Sequence, residues 1–431
     1  MDTIQFFKDK DASIDAVTGD NAVTVLQNEA IQHFEKNGIP TVKNEEWKYT
    51  RINDFFTKDF HFSTHNDAEM NEASFVKLPE NETANSIVFV NGLYSSALTK
   101  IISPEVTITS IADAVNAGNE FVIQHLGSSA TYHKDGINAL NTAFAQQGLF
   151  VDIKKGAIVS APIYIYNITN TAATSVLALP RILVHIPQSV EVTFVETYQT
   201  LGGNESFTNQ VIEMVVEQNA IVQYCKIQND TNTSSIVSTT HVHQIGTSIT
   251  NFVTVTLDGN IVRNNLNMVM SAPHSNANMF GLYLQQGETH VDNHTIVDNK
   301  EPHCLSTELY KGILGGKSTG VFNGKIFVRQ KAQKTNAFQS NRNVVLSKDA
   351  TINTKPQLEI FADDVKCSHG CTVGRLDEEA LFYMQSRGIS EKTATKLLLN
   401  GFALDITEKI EHEAIRNYVV DLINHQLESM Q

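Results

Sequence analysis

The pattern of apolar and polar positions changes twice along the chain, and the two changes predict three regions. In the first part, apolar residues such as Ala30 and Phe34 recur at helical spacing. In the middle part, short runs rich in Val, Ile, Thr and Asn alternate with polar turns, which is typical of β-strands. After that the helical spacing returns. We therefore predict a mostly helical N-terminal region (1–148), a strand-rich core (149–375) and a helical C-terminal region (376–431).

Four features organise the N-terminal region. Its first helix should end at Gly38, because glycine is the usual residue just beyond a helix C-terminus. The run Ile87–Tyr94 is interpreted as a strand that enters a turn, and a further helix is expected over Ile137–Gln147. The single tryptophan, Trp47, lies in the polar segment Lys43–Thr50. We interpret it as an aromatic anchor that packs this segment onto the main body.

A repeat of about 30 residues runs through the core. The aromatic residues that end four similar segments are 30, 28 and 28 residues apart, and Phe322 and Phe338 are 16 apart, near half that step. A fixed step through short strands predicts a β-solenoid whose inward apolar positions stack from coil to coil. A β-sandwich is the alternative, and the fixed step favours the solenoid. The four segments are Gln188–Phe194, Gln218–Tyr224, Gly246–Phe252 and His274–Phe280.

Three capped helices are expected in the C-terminal region. Asp377 and Ser390 are good N-cap residues, Gly401 should follow the second helix, and a third helix should begin near Thr407. Three short helices have little core of their own, so we expect some of their apolar faces to bind a partner. On this interpretation, a chain cut near Leu404 should keep its solenoid folded.

The candidate chemistry lies at the end of the core. If the run that contains Cys367, His369 and Cys371 is a strand, the three side chains point to the same face. A thiolate and an imidazole at that spacing can share one soft or borderline metal ion. Val365 and Val373 have the same parity, however, so both cysteines also fit small core positions. The pattern favours the core for Cys371 and leaves Cys367 with His369 open.

Charge and composition exclude several classes of function. The net charge is −15 with no basic stripe, so a nucleic-acid partner is not expected. Four cysteines without a dense disulfide pattern suit a reducing compartment. The first residues show no secretory signal, and no run of 18 apolar residues predicts a membrane span. We therefore expect a soluble cytoplasmic protein.

Three further motifs have possible functional interpretations. Gly312–Ser318 is one residue short of a phosphate-binding loop and has strands around it, so the chain itself is not expected to bind ATP. His241 and His243 share a strand face, as metal ligands can, but so do many solvated histidines. Asp363 and Asp364 would suit a carbohydrate-active solenoid enzyme, but neighbours on a strand face opposite sides, which favours a turn.

Several segments together resemble the SufB/SufD family of the Suf iron–sulfur cluster assembly machine. Within it, the form of Ala362–Gly370, and of Gly38–Pro40 with Glu46–Thr50, is similar to the SufD branch. The likeness is strongest over about residues 305–403. The segments that carry it are Lys311–Leu314, Gly320–Val328, Ala332–Gln339, Thr354–Gly374 and Phe382–Ile389.

The resemblance implies a fold, partners and a site. The fold would be a right-handed parallel β-helix between helical ends, paired with SufB through its last coils or with itself when isolated. The SufC ATPase would bind the C-terminal helices. A transient iron–sulfur cluster or iron would form at the SufB interface, with His369 as the family's ligand histidine and Cys367 beside it. Family members often have alanine at Cys371, so no role is implied for it. We expect a non-catalytic scaffold, with a β-helix lyase or hydrolase as the alternative.

Overall fold

The computed structural model of the protein describes residues 21–62, 70–131, 134–143 and 148–430. Seven α-helices within these ranges are α1 Ala22–Asn37, α2 Ile111–Asn116, α3 Glu120–His125, α4 Gly136–Ala143, α5 Glu378–Ser386, α6 Glu391–Thr407 and α7 Glu413–Ser429. The strands are β1 His61–Phe62, β2 Asn85–Val90, β3 Leu93–Tyr94, β4 Val106–Ser110, β5 Leu149–Ile153, β6 Ile163–Asn170, β7 Val176–Ala178, β8 Arg181–Ile186, β9 Glu191–Leu201, β10 Ser206–Val216, β11 Ile221–Asn229, β12 Ser234–Gln244, β13 Ile249–Asp258, β14 Ile261–Met270, β15 Asn276–Gln285, β16 His290–Asn299, β17 Leu305–Leu314, β18 Thr319–Val328, β19 Asn336–Val345, β20 Thr351–Ile360 and β21 Lys366–Gly374.

The strands form two sheets that enclose one core, and each coil adds one strand to each sheet. Sheet A has the order β20-β18-β16-β14-β12-β10-β8-β5-β4, and sheet B the order β21-β19-β17-β15-β13-β11-β9-β6-β2-β3. Strands from successive coils pair in parallel, as in β16 with β18 and β17 with β19. The predicted parallel β-solenoid is therefore confirmed, and the sandwich alternative is wrong. The short predicted strand at Ile87–Tyr94 is confirmed as the hairpin of β2 and β3.

The 30-residue repeat is confirmed for three of its four aromatic positions. Tyr224 is in register with Phe194 on one side and Phe252 on the other, and their rings stack at centroid distances of 5.9 and 4.8 Å inside the solenoid. The fourth position is wrong. Phe252 pairs with Met279, so Phe280 has the opposite parity and packs outside sheet B. Because side chains alternate, one residue of difference in coil length moves the aromatic ring to the other face.

Helices α1 and α4 and the turn around Trp47 pack on the outer face of sheet A. The predicted end of the first helix is confirmed, since α1 stops at Asn37 and Gly38 follows with φ of 60°. Trp47 is buried as predicted: it lies 3.8 Å from the Arg263 guanidinium and its indole N–H donates to Asp135 at 3.1 Å. The helix expected over 137–147 is α4, and residues 144–147 lie outside the described ranges.

The C-terminal helices cover the outer face of sheet B, and two predictions about them are wrong. The caps Asp377 and Ser390 are confirmed, but α6 continues through Gly401 to Thr407, and α7 starts only after His412. The apolar face of α7 is not free for a partner, because it is buried on the solenoid. Its buried residues are Ile415, Val419, Ile423 and Leu427.

His185 on β8 makes a pH-sensitive contact with two carboxylates of the core and packs against Phe121 of the N-terminal region. Its Nδ1 lies 2.9 Å from Asp152 and its Nε2 3.1 Å from Glu217, while the Phe121 ring packs at 3.8 Å. Burial alone would lower the His185 pKa, but the hydrogen bonds to the two carboxylates outweigh burial and raise it. Nearby His125 has a lowered pKa, through burial first and then through the charge of His185. The folded state therefore stabilises the protonated form of His185.

We expect His185 to make the protein less stable as the pH rises. A raised pKa in the folded state gives stability that is complete below the unfolded pKa, near 6.5, and is lost as the pH rises through the higher folded value. Melting temperatures measured from about pH 6 to pH 9 should therefore decline less in His185→Gln than in the wild type. His61→Gln, a change at an exposed histidine, is the control. Parallel pH profiles for the wild type and His185→Gln would contradict the assignment.

Candidate functional site

The last coil of the solenoid ends in two uncovered strands. β20 is the terminal strand of sheet A and β21 the terminal strand of sheet B, so each has one unpaired edge. Several apolar side chains around this end are exposed, among them Phe338, Ile360, Phe361 and Val373. Soluble proteins usually cover or charge such edges, because an open edge invites pairing with another chain. The open end is therefore the part of the solenoid that most clearly fits a partner.

The side chains of the candidate ligands Cys367 and His369 share one face of β21 with Cys371, as predicted. Cys367 is in register with Ala337, His369 with Gln339 and Cys371 with Asn341. In β19 these positions point into the solenoid and are buried. No further coil follows β21, so the equivalent side chains on this strand are not covered from the side of the open end. Cys367 is half-buried against the core, whereas His369 and Cys371 are exposed.

The core interpretation of Cys371 is therefore wrong. Parity places its side chain inward, but no later coil covers it, and the thiol is exposed. Cys367 fits both the core and the ligand interpretation, because its side chain packs against the apolar core and also lies at the open end. Burial raises the pKa of Cys367, which keeps more of the thiol protonated at neutral pH. His369 is thus the more accessible of the two ligands in the isolated chain.

Cys367 and His369 do not complete a metal site by themselves. Among the residues that the structure describes, no group of three or more His, Cys, Asp or Glu side chains could hold a metal ion. Metal ions and iron–sulfur clusters usually take four protein or sulfide ligands. A metal at this end would need further ligands, and the open end leaves room for another chain to supply them.

A row of polar side chains that the sequence pattern did not reveal lies beneath His369. Glu308 on β17, Gln339 on β19 and His369 on β21 are in register, one per coil. We call these three residues the interior column. Glu308 and Gln339 are buried, and the Gln339 amide donates a hydrogen bond to the Glu308 carboxylate. Burial raises the pKa of Glu308 to about 7. Only the coil register brings these residues together, so their spacing in the sequence gave no signal.

Comparison with known proteins identifies the family. Residues 167–402 match the family described as "SUF system FeS cluster assembly, SufBD core domain", and residues 2–165 match "SufBD protein N-terminal region". The core match alone covers more than half of the chain. The chain belongs to the SufBD family. This family membership supports a role in iron–sulfur cluster assembly by the Suf system.

Individual relatives agree with this assignment over most of their length. An iron–sulfur cluster assembly SufBD family protein of Synechocystis is 31% identical over 86% of this chain and 84% of its own. The iron–sulfur cluster assembly protein SufD of Escherichia coli is 29% identical over 92% of this chain and 91% of its own. The SufD protein of Bacillus subtilis is 26% identical over 75% and 74%. The resemblance to the SufD branch is therefore confirmed.

In this SufBD chain, the glycine-rich segment Gly312–Ser318 forms the end of β17 and the turn that leads from sheet B to sheet A. β17 ends at Leu314 and β18 begins at Thr319, so a strand follows the glycines, whereas a phosphate-binding loop leads into a helix. Lys317 lies 3.1 Å from Glu288 on the surface, and the Ser318 hydroxyl donates to the Gly315 carbonyl at 2.7 Å. The segment closes a coil and gives no support to nucleotide binding.

The histidine pair and the aspartate pair that the sequence pattern singled out occupy structural positions. His241 and His243 share the outer face of sheet A, and both are largely enclosed. His243 Nε2 lies 2.8 Å from the Ser271 hydroxyl, and burial lowers its pKa to about 4. Asp363 and Asp364 lie in the exposed turn before β21, and Asp364 forms an ion pair with Lys334.

A cavity of about 890 Å³ lies beside the contact between Trp47 and Arg263 of sheet A, and it is the place where the carbohydrate alternative would put its substrate. Glycosidases need two carboxyl groups free to act on the sugar. Here Glu46 lies 3.4 Å from His294, whose hydrogen bond lowers the Glu46 pKa to about 2. Asp298 accepts two hydrogen bonds from Arg329, at 2.7 and 2.9 Å. Both carboxylates are thus engaged by neighbouring side chains, so Glu46 and Asp298 give no support to a glycan enzyme.

No helix within the described ranges is long and apolar enough to cross a membrane.

Proposed function

We propose that the chain is the SufD-type scaffold subunit of a cytoplasmic SufBCD complex and has no enzymatic activity of its own. The observation that carries the proposal is the open end of the solenoid. His369 and Cys367 lie there on the terminal strand β21, which no further coil covers. In this proposal SufB covers that end, and a transient iron–sulfur cluster or iron forms in the seam between the two chains. The negative net charge gives no reason to add a nucleic-acid partner.

The edges of β20 and β21 support pairing with SufB. A second solenoid of the same family would also end in parallel strands, so its edge could continue both sheets across the interface. The exposed apolar residues around the end would then be buried. An isolated chain could cover the same surface with a second copy of itself, and homodimers are therefore proposed in the absence of SufB.

The ligand chemistry supports a cluster that forms and then leaves. Thiolates are the usual ligands of iron–sulfur clusters, and replacing thiolate with imidazole makes the cluster less negative and raises its reduction potential. His369 and Cys367 would supply only part of the ligand set, and SufB would supply the rest. A cluster shared by two chains is released when the chains separate. This suits a scaffold whose product must be passed on.

The experiment that tests the proposal is reconstitution of the complete complex. The chain is co-purified with SufB and SufC, loaded anaerobically with iron and sulfide, and followed by visible absorption. The same treatment of the chain alone is the control. We expect a stable complex and a cluster spectrum from the complex, with little or none from the chain alone. Failure to co-purify with SufB, or an equal spectrum from the chain alone, would contradict the proposal.

The exposed face of α5 is the proposed docking site for the SufC ATPase. Phe382 is 72% exposed and Tyr383 is 59% exposed, and on α6 Leu397 and Leu404 are exposed as well. Large exposed apolar side chains on neighbouring helices mark interaction surfaces. Helix faces of this kind commonly bind in a partner's groove. The buried apolar residues of α6 and α7, in contrast, pack on the solenoid.

Replacing Phe382 and Tyr383 together with serine should weaken SufC binding by at least about tenfold, since loss of aromatic hot-spot residues typically costs about 2 kcal/mol or more. Folding and SufB binding should not change, because both side chains are exposed. Calorimetric titration with SufC measures the effect. Val76→Ser, a change at an exposed apolar residue far from α5 in the sequence, is the control. Undiminished SufC binding by the double variant would exclude this docking site.

A further inference from the structure

The amide group of Gln339 forms a hydrogen bond through its nitrogen but not through its oxygen. Its amide nitrogen donates to the Glu308 carboxylate. Its amide oxygen is buried and has no hydrogen-bond partner among the residues that the structure describes. Gln339 itself is 3% exposed. Buried polar atoms are nearly always hydrogen-bonded in folded proteins, so this oxygen indicates a contact that is still to be made.

Sheet A has a gap that fits this amide. A Cβ atom on Gly324 would lie 2.2 Å from the amide nitrogen and 2.8 Å from the amide carbon of Gln339. No side chain could occupy position 324 without displacing the amide. Gly324 and Glu308 together hold the amide across the interior, with its nitrogen facing the carboxylate. The amide nitrogen is thus engaged by Glu308, and the amide oxygen, which leaves the amide carbon in a different direction, is left without a bond to that carboxylate.

His369 is the next residue in the interior column. An imidazole that stands in the column has one ring nitrogen on the side of Gln339 and the other on the side of the open end. Histidines that bind metal nearly always donate the second ring N–H to a carboxylate or carbonyl oxygen, which fixes the tautomer and the ring orientation. The amide oxygen of Gln339 is such an acceptor, and it lies in the adjacent strand.

We propose that Gln339 is a positioning residue for His369: its free amide oxygen accepts the inner N–H of the imidazole and leaves the outer nitrogen unprotonated at the open end. The inference rests on the proposed function, because it assigns His369 a metal or cluster to bind. Glu308 acts one step further back by orienting the Gln339 amide. The outer nitrogen of a neutral imidazole is the form that binds metal.

An amide suits this task differently from a carboxylate. A carboxylate behind a ligand histidine makes the imidazole a stronger base and a tighter metal ligand. The neutral Gln339 amide orients the ring without adding a negative charge next to it. The carboxylate of Glu308 is kept one coil away. Such an arrangement supports a well-oriented but releasable ligand, as a transient cluster requires.

The test uses the complex with SufB, in which only this chain carries ¹⁵N-histidine. The ring nitrogen signals of His369, identified by their loss in His369→Ala, report its tautomer without any iron. Gln339→Met removes the acceptor at similar length and volume. The double variant Glu308→Gln with Gln339→Glu, called the exchanged pair, swaps the two side chains. It keeps one amide and one carboxyl group and retains a hydrogen-bond acceptor at position 339. Gln339→Asn, which withdraws the oxygen by one methylene, replaces Gln339→Met if the latter does not fold.

We expect one dominant His369 tautomer in the wild type, a mixture in Gln339→Met, and the wild-type tautomer again in the exchanged pair. Cluster yield after anaerobic reconstitution should fall by about tenfold or more in Gln339→Met, as for other partners of ligand histidines, and recover in the exchanged pair. An unchanged tautomer in Gln339→Met overturns the inference, whether the yield is normal or reduced. Normal cluster yield from His369→Ala would instead overturn the proposed function, since that result does not depend on Gln339.

Discussion

Replacing His369 with alanine is expected to reduce cluster build-up on the assembled complex by more than about tenfold. Removing a residue that merely supports a metal ligand commonly costs about 10–100-fold in affinity or activity, and losing the ligand should cost at least as much. Folding should hardly change, because the side chain is exposed and exposed substitutions usually alter stability by less than about 0.5 kcal/mol. Visible absorption after anaerobic loading with iron and sulfide measures the yield.

Neighbouring variants separate the ligand role from a general effect at the interface. Ser368→Ala changes an exposed residue of opposite parity on the same strand and should leave the yield unchanged. Cys367→Ser should lower the yield less than His369→Ala, because the thiol is half-buried against the core and is less accessible than the exposed imidazole. Cys371→Ala should have almost no effect. A normal yield from a complete complex carrying His369→Ala would show that the cluster forms without this residue.

The solenoid could be predicted from the sequence because each coil repeats its own pattern. Phe194, Tyr224 and Phe252 occupy equivalent inward positions, and their spacing is visible without any structure. The prediction for the fourth aromatic residue, Phe280, was wrong, because a small change in coil length is not visible in the approximate spacing. The step from Phe252 to the inward Met279 is one residue shorter than the step to Phe280, and in a strand one residue reverses the face.

The candidate site was predictable in part. Alternation along β21 correctly places Cys367, His369 and Cys371 on one face. Their exposure could not be predicted, because it depends on the absence of a following coil and not on the residues themselves. The pairing of His369 with Gln339 was also hidden, since the two residues are 30 positions apart and meet only through the coil register. Family resemblance singled out His369, and it gave no information about what lies beneath it.

The C-terminal helices show where helical periodicity is ambiguous. Their amphipathic pattern predicts that one apolar face of each helix is buried. The pattern does not distinguish burial against another protein from burial against the chain's own solenoid. For α7 the cover is the solenoid. Ile415, Val419, Ile423 and Leu427 pack with residues of sheet B in one apolar cluster. This packing argues against the expectation that a chain cut near Leu404 keeps its solenoid folded.

Deleting residues 408–431 is expected to destabilise the protein strongly. The deletion removes α7 with four apolar side chains that are at most 1% exposed, and Ile410 at 3%. Burying one such side chain contributes about 1.5–3 kcal/mol, so the loss is on the order of 10 kcal/mol, comparable with the whole stability of a typical domain. The outer face of sheet B, including Val255 and Leu282, would also become exposed. We expect low soluble yield and aggregation.

Circular dichroism melting and size-exclusion chromatography of the 1–407 chain test this expectation, together with binding of a dye that reports exposed apolar surface. Val419→Ala in the full chain is a milder version, since it only creates a cavity beneath α7, and it should lower the free energy of unfolding by about 1–3 kcal/mol. The matched control is Val420→Ala, the next residue on α7, which is only partly buried and should change stability less. Wild-type melting of the 1–407 chain would show that sheet B is stable without α7 and that this helix is free for a partner after all.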